Sequence, residues 1–339
     1  MTIGELLAHS GAEMRVFEMG RRIQQLDNET FADLEAQRRP FPVPYLKHAW
    51  LGILSWNPNK PGQHGIWFLK LPLDEQNLIQ TAERDAFVRY CSQRLASPQS
   101  GDQGEAPFSF KPDPHRMAYF HALASLELGA EPSRYYTTAR AYLSCDIGWE
   151  NWQQLGLQGL AEVVANNQQD NNEALLTRAI PYLPVVPLRA VLGFMENMSP
   201  GAELTSALND RLAEVIKQGA EAEDLTAFVR ALSHSQQLEQ RRLLIHALLA
   251  HPNARSVEFL AALSSRCWMD LEGDLLIQFL ETLVVNEQGD QAFATLIADL
   301  MTLPGMRQRM LAAFSHSSLS NGLRSAIESL LNRIRGGQA

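Results

Sequence analysis

The spacing of apolar and polar positions divides the chain into two stretches of different period. Up to about residue 96, segments of period two alternate with short helical ones, and beyond about 114 the apolar positions recur only at helical spacing. In the first stretch Thr2–His9 reads as a short helix stopped by Gly11, and Glu13–Met19 as a strand closed by Gly20. Thr30–Gln37 reads as a helix that ends before Pro40, Pro42 and Pro44, because a residue preceding proline is disfavoured in the helical region. Ala49–Trp56 and Ile66–Leu71 are the strongest strand segments, joined by a turn-rich loop from Asn57 to Gly65. Bulky residues on both alternating faces predict a hairpin covered on both sides, with Trp50, Trp56 and Trp67 in the core. Asp74 is expected to cap a helix running to about Ala96. This order is that of a compact α+β domain over residues 1–96.

Residues 97–113 are expected to be the linker; its segment 97–107, polar and rich in Gly and Pro, is expected to be the first site of proteolysis, with Phe108 and Phe110 anchoring the end of the linker onto the first helices that follow. Residues 114–335 read as helices throughout, at about 115–128, 132–144, 149–167, 172–182, 187–198, 202–218, 222–234, 237–250, 254–266, 272–285, 290–302, 305–315 and 319–334. The pattern of Arg211–Ile216 returns at Leu243–Leu248 and again at Leu275–Leu280. A helix-pair repeat of that length predicts an all-α helical-repeat domain of α-solenoid type, although a globular bundle also fits.

Composition changes this picture little. The chain has 339 residues, 45% hydrophobic and 20% charged, which is ordinary for a folded protein of about two domains. The net charge of −9 disfavours a general nucleic-acid binder, because it repels phosphate at long range. The basic residues that do cluster lie early: Arg15, Arg21, Arg22, Arg38, Arg39 and Lys47. Cys91, Cys145 and Cys267 have neither disulfide nor zinc spacing and read as small core residues of a protein from a reducing compartment. The first residues lack a basic, apolar leader and no stretch is long enough to span a membrane, so a cytoplasmic location without membrane association is expected.

Candidate chemistry is sparse. The histidines form no HxH, HxxxH or HExxH pattern, so no metal is expected, and no phosphate-binding or nucleophile motif is present, so no cofactor is expected either. Aromatic and charged residues are densest around His115, Arg116, His121, Arg134, Tyr136, Arg140, Trp149 and Trp152, where Arg beside Tyr can hold a carboxylate, a phosphate or a peptide. Tyr135, Ala139 and Tyr142 share one helix face, and Tyr136 and Arg140 another. Inter-domain packing is the plainer reading of this segment. Arg21 and Arg22, after a strand and a glycine, can capture an anion or form a solvated turn. The acidic runs Asp74-Glu75 and Glu221–Asp224 read as helix-start charges.

Val16–Arg22, Trp50–Leu54, Ile66–Gln76, Ser133–Tyr136 and Trp149–Gly159 together resemble an uncharacterised bacterial family, domain of unknown function 3549. The resemblance covers nearly the whole chain, is strongest before about residue 160, and implies a bacterial cytosolic protein without bringing an activity or a catalytic residue. The leading expectation is a non-enzymatic protein-interaction scaffold or adaptor. An RNA-associated accessory factor is the second, resting on the early arginines, and an enzyme with an unrecognised site among His115, Arg116, His121, Arg134, Tyr136 and Arg140 is the third.

Overall fold

The computed structural model describes residues 1–60, 62–96 and 106–335. The chain divides into two compact units, Met1–Phe120 with Thr302–Pro304, and His121–Met301 with Gly305–Ala339. Residues 97–105 of the expected linker lie outside the described residues.

The first unit runs α1 (Ile3–His9), β1 (Glu13–Glu18), β2 (Gln24–Leu26), α2 (Asn28–Glu35), β3 (His48–Trp56), β4 (His64–Pro72) and α3 (Thr81–Ala96). The four strands form one antiparallel sheet in the order β2-β1-β3-β4. Thr2 and Glu5 close a capping box on α1, and the buried Glu35 of α2 accepts the Ile3 and Gly4 N–H groups at 2.6 and 3.0 Å, which ties the two helices together.

The period of two sorts the strand residues onto two faces. Val16, Leu51, Ile53, Leu69 and Leu71 join Leu6, Phe31, Leu34 and Phe87 in one core. Phe17, Gly52 and Phe68 belong to the alternate set, where Phe120 packs edge-on at 5.3 Å from Phe17 and 4.9 Å from Phe68. Gly52 makes room for that ring, because a Cβ there would stand 2.5 Å from Phe120 Cε2. The hairpin is therefore covered on both sides.

The tryptophans depart from expectation: Trp50, Trp56 and Trp67 are all only partly buried. Aliphatic side chains fill the centre, while Trp50 and Trp56 carry Lys70 and Arg15 over their rings at 4.6 and 5.3 Å. Asp74 does not start a helix. It caps a turn by accepting the Gln76 and Leu78 N–H groups at 2.9 and 2.8 Å, Asn77 is left-handed there, and α3 begins only at Thr81. Phe108 and Phe110 attach to the sheet instead of to later helices. Phe108 O accepts from Lys70 N, Phe110 N donates to Phe68 O, and the Phe110 ring meets Trp50 at 4.8 Å. The physical reason is the open edge of β4, which takes residues 108–110 as a short added strand.

Then follow α4 (Pro114–Glu127), α5 (Arg134–Leu143), α6 (Leu157–Ala165), α7 (Asn172–Ala179), α8 (Val185–Met195), α9 (Ala202–Lys217), α10 (Ala222–Leu232), α11 (Leu238–Leu249), α12 (Val257–Arg266), α13 (Gly273–Val284), α14 (Asp290–Leu300), α15 (Met306–Phe314) and α16 (Asn321–Arg335). The single helix expected over 149–167 is broken: Trp149–Gln154 is a 3-10 turn, and α6 starts after Gly156. In the second unit α6 packs on α8, α8 on α10, α10 on α12 and α12 on α14, while α5 packs on α7, α7 on α9, α11 on α13 and α13 on α15. The acidic start of α10 closes a capping box between Glu221 and Asp224 and also receives Arg189 of α8, at 2.7 Å on Asp224.

Candidate functional site

Within the second unit, α5 and α7 bound a cleft whose floor is a polar network around the buried Tyr136 and Asn172. α5 is capped by Ser133, whose hydroxyl donates to the buried Glu162 of α6 at 2.9 Å. Gly159 of α6 lets the two helices touch, since a Cβ there would overlap the Tyr135 carbonyl oxygen. α7 is entered through Asp170 and Asn171, both left-handed. That turn aims Asp170 and Asn172 back at α5. The Tyr136 hydroxyl donates to Asp170 Oδ2 at 2.7 Å and accepts from Asn172 Nδ2 at 2.9 Å, and Arg140 Nη1 donates to the Asp170 carbonyl at 3.0 Å and to Asn172 Oδ1. Burial pushes the Tyr136 phenol up, and the Asp170 carboxylate adds to the effect.

Above this floor lie two adjoining depressions, of about 460 and 370 Å³, that share Ser144 and Arg178 as walls. The larger has a mixed lining, with Arg140, Arg178, Asp146 and Asp170 around it beside Ala141 and Leu175. The smaller is mostly apolar and lined by Leu143, Cys145, Trp149 and Tyr182. Trp149 is held from below by Tyr142, edge-on at 5.4 Å, whose hydroxyl donates to the Trp149 carbonyl at 3.0 Å and whose phenol is pushed by burial to about 12. Chemically the cleft offers two guanidinium groups and an aromatic wall.

The structure brings Tyr136 and Arg140 into this network and Trp149 into its wall. Arg134 is exposed and folds over the neighbouring Tyr135 ring at 4.9 Å, donating to its hydroxyl at 2.9 Å. Tyr135 is 40% exposed whereas Ala139 and Tyr142 are fully buried, so the three do not share one environment. Trp152 is half-buried in the 3-10 turn, and His121 is exposed on α4.

Arg21, Arg22, His115 and Arg116 belong to the first unit. Arg21 is 3% exposed, donates Nε to the Pro44 carbonyl at 2.8 Å and lies over Tyr45. Arg22 donates to Gln24 at 2.9 Å, and Arg116 donates to the Met19 carbonyl and pairs with Asp113 at 3.5 Å. These arginines converge on the end of β1, where the buried Glu18 carboxylate accepts the N–H groups of Gly20, Arg21 and Arg22. The turn after Gly20 is therefore occupied by the protein's own carboxylate. His115 is exposed, and its backbone N–H donates at 3.0 Å to Asp113, whose carboxylate caps the start of α4.

Sequence reasoning missed Arg178, Tyr182 and Asp170. The run Asn166–Asn172 carried the available signal, since Asn and Asp are the residues that tolerate a left-handed turn. Cys145 is exposed at a left-handed position and Cys91 half-buried, so of the three cysteines only Cys267 is the buried core residue expected. Among the described residues no His, Cys, Asp and Glu groups gather with metal-binding geometry, and no helix is long and apolar enough to cross a membrane.

A small antiparallel sheet followed by many helices, with a polar cleft among the latter, defines a mostly helical protein with an N-terminal sheet. The chain belongs to the family described as Protein of unknown function (DUF3549), whose model matches residues 1–331, as the motifs implied. No curated protein and no solved structure matches the chain.

Proposed function

We propose that this protein is a non-enzymatic interaction adaptor of the cytoplasm, and we read its second unit as an open helical repeat of solenoid type. The observation that carries the reading is the packing of helices on their next-but-one neighbours, α6 through α14 in one series and α11 through α15 in another. Arrays built from such neighbour contacts serve as extended binding surfaces. Arg211–Ile216, Leu243–Leu248 and Leu275–Leu280 lie on α9, α11 and α13, which we read as the first helices of successive pairs. A closed bundle gives no reason for that regularity. Exposed apolar side chains on the helices, Leu243 at 70% and Leu311 at 55% among them, add contact surface. The RNA reading stands second, since Arg21 is buried and Arg38 pairs with Asp33 at 2.6 Å, which leaves a thinner basic track.

The test is affinity capture from cell lysate with the full chain as bait, against a mock bait. A partner recovered in stoichiometric amount is the expected result. Failure to recover one, together with metabolite turnover by the pure protein, overturns the adaptor reading.

A further inference from the structure

The smaller depression in the second unit has features that the network beneath it does not use. Trp149 lies nearly parallel to Tyr182, with ring centroids 6.3 Å apart and planes at 16°. Tyr182 is nevertheless 67% exposed, so the stack turns one aromatic face to solvent. Arg178 stands at the shared edge of the two depressions, and its side chain makes no hydrogen bond or ion pair among the described residues. The nearby carboxylates are already engaged: Asp146 accepts from Ser144 at 2.6 Å and Asp170 from Tyr136 at 2.7 Å. Arg140 is likewise committed to Asp170 O and Asn172. One guanidinium, beside one open aromatic wall, remains.

We propose that this depression binds a short peptide segment of a partner protein in which one carboxylate adjoins one large apolar side chain. The carboxylate takes the fork of Arg178, and the apolar side chain lies on Tyr182 and Trp149. The proposal rests on the adaptor reading and names the chemistry of its partner. Size supports it, because about 370 Å³ is near the lower end of ligand pockets and admits one large side chain. A planar guanidinium with no competing partner matches a carboxylate in two-point geometry. Charge decides between a peptide and RNA. Each phosphate of a run would add repulsion from Asp146, Asp170 and the net charge of −9, whereas a single carboxylate meets that repulsion once and sets it against the Arg178 guanidinium.

The experiment uses the full-length protein and fluorescein-labelled, C-terminally amidated peptides, Gly-Ser-Phe-Asp-Gly-Ser and Gly-Ser-Leu-Asp-Gly-Ser. Each is paired with a control carrying Asn for Asp, and a uridine oligonucleotide is the RNA arm. Fluorescence polarisation is expected to show saturable binding of the Asp peptides, weakened about tenfold or more by Arg178→Ala and by the Asn control. Tyr182→Ala should weaken it too, and Arg178→Lys should retain part of it. Both positions are exposed, so the melting curve of each variant should match that of the parent. No saturation at roughly millimolar protein, equal binding by the Arg178→Ala protein, or preference for the uridine oligonucleotide would overturn the proposal. A partner captured equally well by the parent and by Arg178→Ala would overturn this site alone and leave the adaptor reading standing.

Discussion

Arg241 of α11 and Asp270, in the 3-10 turn ahead of α13, meet in a two-point ion pair: Nε donates to Oδ2 at 2.7 Å and Nη2 to Oδ1 at 2.8 Å. Asp270 is 2% exposed, and its hydrogen bond is the main reason that the guanidinium is held above its ordinary range. Removing one partner of a buried pair leaves the other charge uncompensated. Asp270→Asn is expected to cost about 3 kcal/mol, read as a lower urea midpoint. Arg241→Lys keeps the charge but loses the fork, and should cost less.

Glu18 should give the first unit a pH-dependent stability. Burial raises its carboxyl above the ordinary range, against the opposing hydrogen bonds from Arg21, Arg22 and Gly20. A carboxyl whose pKa is higher folded than unfolded binds its proton more tightly in the folded state. Its contribution is whole below the unfolded pKa and is lost as pH rises through the folded one. Glu18→Gln cannot ionise. Urea midpoints from the ordinary carboxylate range up to neutral pH should therefore fall more steeply for the parent than for this variant. Parallel curves would show that the buried carboxyl does not titrate in that window.

Two glycines should respond in opposite directions to alanine. At Gly159 the new methyl group meets the backbone of α5, which cannot swing aside, so Gly159→Ala should destabilise by roughly 1–3 kcal/mol. At Gly322, near the start of α16, the nearest atom to the new Cβ is Ser320 Oγ at 3.8 Å. There the gain in helix propensity, up to about 1 kcal/mol, should be all that is seen. Thermal melts of the two variants give the comparison.

The three thiols should label at different rates. Cys145 is exposed, Cys91 half-buried, and burial lifts the Cys267 thiol to about 12. A maleimide in native buffer is expected to modify Cys145 first and Cys267 only after unfolding, as peptide mass spectrometry will resolve. Early modification of Cys267 would mean that α12 opens readily.

The hairpin and the helices beyond Pro114 were legible because each repeats its own period over enough residues to be read. β2 was not, since Gln24–Leu26 is too short to show a period, and it exists because β1 offers it an edge. Asp74 misled because an Asp with N–H groups two and four residues on caps a turn as readily as a helix, and only the Leu73–Ile79 bridge decides. Half of the candidate site was visible as Tyr136, Arg140 and Trp149 on or beside one helix. Its other half was hidden because Asp170, Arg178 and Tyr182 come from a later loop and helix. That association is set by Gly159 and the left-handed turn, not by any local pattern.

The Phe120 ring against Gly52 bears on how the chain is made. All four strands leave the ribosome with the alternate face of the sheet, Phe17 and Phe68 included, still bare, and the ring that covers it arrives only after α3 and the residues following it. Vectorial synthesis thus exposes a sticky surface for the time needed to translate that interval. A nascent chain stalled before Phe120 should be bound by ribosome-associated chaperones, and one released just after it should not.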